Sequence, residues 1–186
     1  KYFINKIKNF FEEPVIVLLY HRVNQLEFDP QLLSVSVNNF RDQLLFIKNN
    51  YEILHLEDNW IKNKKPAIVI TFDDGYVDSF EEVLPIIKRY EVPMTLFVTA
   101  GKVDQMNDVW WDDLERIFLL GKELPEVLEM NLEGELKKWN ISDNSPSIVY
   151  GELMTQLKSR SERVIREKIN ELCKWAGLEE MGRKTP

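Results

Sequence analysis

Two rhythms of apolar and polar positions organise the first hundred residues. Val15-Ile16-Val17-Leu18-Leu19-Tyr20 is a continuous apolar run of strand length, rich in β-branched residues. Such a run predicts a strand buried on both faces, as in a parallel sheet covered by helices. Pro66 to Phe72 and Pro93 to Thr99 repeat it. Between these runs the period lengthens. Phe40, Leu44, Leu45 and Ile47 predict a helix capped by Ser36 or Asn38 and running to about Asn50. Phe80, Val83, Leu84, Ile86 and Ile87 predict another over residues 77 to 90, and Tyr51 to His55 a short strand or extended link. A short amphipathic helix is expected over residues 2 to 12, stopped by Pro14. Strand and helix alternating through short connections predict right-handed βαβ units and an α/β fold with a parallel sheet.

The rhythm changes after Gly101. A helix is expected from Trp110 to near Gly121, a small hairpin over residues 126 to 141 around Glu133-Gly134, and two helices from Ser145 to Gly177 broken near Ser159 to Ser161. No buried-strand pattern occurs there. The chain is therefore read as an N-terminal part, residues 1–120, followed by a mainly helical insertion, residues 121–186.

Composition narrows the function classes. Apolar residues make up 44% and charged residues 30% of the 186, enough for a core and a solvated surface. The net charge of -7 argues against a nucleic-acid surface, and Lys62-Asn63-Lys64-Lys65 reads as a solvated loop. No run of eighteen apolar residues predicts a membrane span. Cys173 is the only cysteine, so no intrachain disulfide is possible; its helical setting predicts a buried, inert thiol. The start at Lys1 carries no cleavage-site pattern, and the compartment is not readable from it.

The sharpest chemical feature is Thr71-Phe72-Asp73-Asp74-Gly75-Tyr76, which closes an apolar strand. In parallel α/β folds, functional groups gather at the carboxyl ends of strands. Adjacent carboxylates there point in different directions, so one can bind a divalent metal while the other takes a proton from water. A polar turn capping the strand would look the same. His21 ends the first strand and would share that rim if the two strands are neighbours, as a ligand, an orienting group or a hydrogen-bonded structural residue. His55 reads as structural. Trp110 and Trp111 suit sugar rings as aromatic platforms, although at least one is expected in the core. Asp112 and Asp113 favour the start of their helix.

These pieces, taken in order, resemble the polysaccharide deacetylases with the nodulation-protein deacetylase homology domain. The matching segments are Val17 to Val23, Val35 to Phe40 leading to Gln43-Leu44, Ile70 to Tyr76, and Pro93 to Gly101. Trp110-Trp111 followed by Asp112-Asp113-Leu114-Glu115 resembles a subgroup near the surface-polysaccharide enzymes. The resemblance implies part of a distorted (β/α) barrel and a hydrolase that removes N-acetyl groups from polymeric or lipid-linked amino sugars. It implies Asp73 as general base and Asp74 as ligand of a divalent metal, zinc above all, in the complete enzyme. It also implies a carbohydrate substrate, with His21, Tyr76, Trp110 and Trp111 as candidate substrate contacts.

The departures matter as much. The chain has two His and no His-xxx-His, which would supply the other ligands in that family. The Arg-containing, Asp-Trp-containing and final His-containing motifs are missing too. Three or four strands cannot close a barrel that needs roughly eight. The chain by itself is therefore expected to hold no complete metal site and to be inactive or nearly so. A truncated chain, one that self-associates across its open sheet edge, and a natural remnant are the three explanations, with truncation preferred because the motifs are intact. A carbohydrate-binding or scaffold remnant is the alternative function. An unrelated phosphotransfer enzyme ranks last, because the seven Gly form no phosphate-cradling loop.

Overall fold

The computed structural model describes residues 15–26, 29–60, 65–100, 109–120, 123–132, 134–141 and 145–178. The expected helix over residues 2 to 12 and most of the Lys62–Lys65 run lie outside them. The chain divides into two compact units, within the bounds Lys1–Val103 and Asp104–Lys184.

The first unit is built around one strand. In β5 (Ala67–Phe72) all six side chains are buried, as an apolar run flanked on both faces requires. Strand β1 (Val15–Tyr20) lies parallel along its whole length, with Val15 opposite Ala67 and Tyr20 opposite Phe72. With β1 on one edge, the other edge of β5 is shared by two short strands. Strand β4 (Glu52–Leu54) pairs beside Ala67 to Val69, and β6 (Thr95–Leu96) beside Thr71 and Phe72. A small parallel ladder, β2 (Arg22–Val23) with β3 (Ser34–Val35), follows the end of β1.

Helix α1 (Val37–Asn50) starts where expected. The Ser36 hydroxyl accepts the Asn39 N–H at 3.2 Å, and Phe40, Leu44 and Ile47 form the buried stripe. Phe40, Phe72 and Tyr20 meet with ring centroids 5.2 to 5.7 Å apart, and Ile70, Val83 and Ile87 complete this core. The helix after β5 opens as a π-helical turn, Ser79–Val83, before α2 (Leu84–Tyr90). Pro85 has no N–H for the regular i−4 bond, and the turn before it widens.

Two expectations need correction. Strand β1 is not buried on both faces: Ile16, Val17 and Leu19 are 46%, 45% and 54% exposed, and β5 is its only strand partner among the described residues. The third apolar run is strand only at Thr95–Leu96, and Phe97 and Val98 are half-exposed beyond it.

The second unit is more than helical. It holds α3 (Trp110–Leu119), the antiparallel hairpin β7 (Val127–Leu132) and β8 (Glu135–Asn140), α4 (Pro146–Leu157) and α5 (Glu162–Trp175). Leu128, Met130 and Leu132 point inward with strict alternation, and Gly134 turns the hairpin at φ +95°. They share a core with Leu114, Ile117, Leu153, Leu157, Ile169 and Leu172. Trp139 donates to Glu152 at 2.7 Å. Cys173 is buried, and burial pushes its thiol pKa up, the inert setting expected. Asp113 stands in the first turn of α3 as expected, and it is also buried, accepting bonds from Arg116 and Arg166. Among the described residues no helix is long and apolar enough to cross a membrane.

Candidate active site

Asp73 and Asp74 leave the carboxyl end of β5 through a tight turn. The Asp73 N–H still reaches across to Tyr20 O at 3.0 Å, so the parallel register extends one residue past the strands. The chain then turns back, with the Gly75 N–H on Asp73 O at 2.9 Å. Asp74 and Gly75 both stand in the left-handed region, at φ +70° and +78°. Aspartate tolerates that conformation better than most residues, and glycine is free in it. The two carboxylates, both half-buried, line a cleft of about 450 Å³ with Phe97, Val98 and Thr99 from the end of β6.

The same register explains His21. Tyr20 lies opposite Phe72, so the residue just after β1 comes level with the acidic turn. Burial raises the Asp74 pKa above the ordinary 3.8; the charge of His21 pulls it down, and the Asp73 carboxylate pushes it up again. His21 also lines a larger groove of about 800 Å³ beside β1, walled by Leu19, Leu32, Phe46 and Ile47. Leu32 stands at its rim, 87% exposed and at φ +54°, where the Asp29 carboxylate caps the Leu33 and Ser34 N–H groups.

Tyr76, a candidate substrate contact, follows directly after the acidic turn. It is buried, and the Arg22 guanidinium lies over its ring at 4.3 Å. That ring face is taken up by a cation–π contact. Arg22 also donates from Nε to Asp78 Oδ2 at 3.1 Å. Arg22, Asp78 and Ser79 form a buried polar cluster directly behind the acidic turn, and the sequence did not single them out. The available signal was a charged residue on each side: Arg22 beside His21, and Asp78 four residues past Asp74. Trp110 and Trp111 belong to the second unit, half-buried and edge to face at 5.6 Å, with Trp110 packed against that unit's core. His55 is exposed in a turn, where its N–H donates to Asp58.

A zinc centre needs three or four protein ligands. Among the described residues, no three His, Cys, Asp or Glu side chains are grouped so as to hold a metal ion. Asp74 would need ligands beyond its described neighbours to hold such an ion.

The profile of the family described as polysaccharide deacetylase matches residues 61–126. A poly-beta-1,6-N-acetyl-D-glucosamine N-deacetylase of Staphylococcus aureus is 28% identical over 139 residues, 65% of this chain and 46% of that protein. YxkH of Bacillus subtilis is 28% identical over 108 residues, 54% of this chain and 37% of that one. The chain thus spans less than half the length of these curated relatives. A solved structure of IcaB from Ammonifex degensii is 22% identical at a TM-score of 0.46, covering 56% of this chain and 48% of the other. Residues 61–126 are thus similar to the polysaccharide deacetylase family, while the rest of the chain lies outside that match.

Proposed function

We propose that this chain carries the acidic part of a deacetylase that hydrolyses N-acetyl groups on a polysaccharide or other amino-sugar glycan. One observation carries the reading. Two carboxylates stand side by side in a cleft at the carboxyl end of a fully buried strand, inside the stretch that matches the family. The name of the Staphylococcus aureus relative supports an N-acetylglucosamine polymer as the class of substrate.

Asp73 is assigned the general base. It takes a proton from a water whose oxygen attacks the acetyl carbonyl carbon; the C–N bond then breaks, the nitrogen takes up a proton, and acetate and a free amine result. Asp74 is assigned to a divalent metal, zinc being preferred, in the complete enzyme, with other ligands drawn from outside the described residues. The chain alone is accordingly proposed to be inactive or nearly so. His21, level with the acidic turn, is assigned to the substrate side of the cleft. Trp110 and Trp111 are the candidate sugar contacts of the second unit. A distorted (β/α) barrel, of which the first unit would form one part, is the fold assigned to the complete enzyme.

The test is acetate release from an N-acetylated β-1,6-glucosamine oligomer by the longest natural protein that contains this sequence. Asp73→Asn should lower the rate by about 10²- to 10⁴-fold without unfolding the protein. If that folded protein leaves the acetyl groups in place, with divalent metal supplied, the reading fails.

A further inference from the structure

Behind the acidic turn lies a buried ion pair that stability alone does not account for. Arg22 and Asp78 are 56 positions apart, and their side chains are 10% and 2% exposed. The fork between them is half made: Nε reaches Oδ2 at 3.1 Å, while Arg22 Nη2, Asp78 Oδ1 and the neighbouring Ser79 Oγ are buried with no hydrogen-bond partner. Each buried polar atom left unpaired costs about 1–3 kcal/mol. Burial outweighs the attraction of Arg22 and leaves the Asp78 carboxyl pKa above its ordinary value. A buried pair of this kind is weak evidence for stability, and an apolar pair of similar volume would often serve as well.

Its place in the chain is more informative. Arg22 directly follows His21, and Asp78 closes the segment that opens with Asp73 and Asp74. His21 is therefore held from both sides. The residue before it, Tyr20, accepts the Asp73 N–H, and the residue after it is tied to Asp78 and lies over Tyr76. The backbone N–H of Val23, on β2, also favours the charged form of the Asp78 carboxyl. The end of β1 and the turn after β5 thus become one rigid corner.

We infer that Arg22 and Asp78 are positioning residues, which set His21 against the turn carrying Asp73 and Asp74. The purpose of that geometry rests on the proposed deacetylase site. The geometry itself can be read without any acetate measurement, so failure of one is distinguishable from failure of the other.

The chain has only two histidines, which makes the test direct. In ¹H–¹³C spectra at fixed pH, the His21 ring resonance should move by more than its line width, or split, in Asp78→Asn and in Arg22→Lys. The His55 resonance should hold in both. Lysine keeps the charge but has neither the fork nor the planar group that lies over Tyr76, so it should not restore the wild-type position. Amide exchange at Asp73 should rise about tenfold, the loss of roughly one hydrogen bond, while Ile68 and Ile70 keep their protection. Arg22→Lys is the milder change should Asp78→Asn fail to fold. If the His21 resonance stays in place in a folded variant, or if exchange rises equally across β5, the pair is structural only and the inference is overturned.

Discussion

Gly75 and Val98 approach so closely that a Cβ on the glycine would stand 3.0 Å from Val98 Cγ1. Glycine is favoured there by φ +78°, and any larger residue would also have to push the half-exposed Val98 side chain aside. Gly75→Ala should therefore destabilise the first unit by about 1–3 kcal/mol, the combined size of left-handed strain and overpacking. Val98→Ala in the same chain should recover the steric share and leave the backbone share. A double-mutant cycle from urea melts separates the two. Strictly additive costs would mean that the contact carries none of the penalty.

Asp113 is the charged centre of the second unit. It is 2% exposed and accepts from Arg116 Nη2 at 2.9 Å and from Arg166 Nη1 at 3.0 Å. The two arginines keep some contact with water, so Asp113→Asn should cost about 2–4 kcal/mol, between the exposed and fully buried limits. Urea unfolding followed by tryptophan fluorescence would show it. A loss below about 1 kcal/mol would place this triad with ordinary surface pairs.

What could be read in advance, and what could not, follows from the range of each interaction. Strand β5, the Ser36 cap with its Phe40, Leu44, Ile47 stripe, and the hairpin around Gly134 are local patterns, and all three were readable. Strand β1 carries the same kind of apolar run as β5 yet is half-exposed. Periodicity reports what a segment would bury, not whether a neighbour is there to cover it. The acidic turn was plain because its chemistry lies in consecutive residues. The Arg22–Asp78 tie and the Asp113–Arg166 bond span 56 and 53 positions, and no local rhythm marks such partners. The burial of Tyr76 is hidden for the same reason: the group that covers it comes from another strand.

Strand β1 exposes Ile16 on one face and Val17 and Leu19 on the other, along an edge whose backbone groups have no strand partner among the described residues. Apolar edges of this kind pair with other chains. The chain should accordingly self-associate in solution, and Leu19→Lys should raise the monomer fraction in sedimentation velocity while changing stability by no more than about 0.5 kcal/mol. Association unchanged by the lysine would place the contact elsewhere.

The acidic turn should make the fold less stable as pH rises, the reverse of the usual carboxylate behaviour. Burial and the adjacent Asp73 raise the Asp74 pKa above 3.8, against the opposing pull of His21. The folded chain then binds the Asp74 proton more tightly than the unfolded chain does. Between 3.8 and the raised value, stability contributed by this group is lost as pH rises, and above that window the loss is complete. Asp74→Asn removes the charge and suits φ +70° at least as well. Its Tm should match the wild type near pH 3.5, below the ordinary aspartate pKa, and exceed it increasingly until the window is passed. Thermal melts from pH 3.5 to 7 on both proteins, with metal chelated, measure that difference directly. A difference that stays flat with pH, or that favours the wild type at neutrality, would mean that the Asp74 charge is stabilised where it stands.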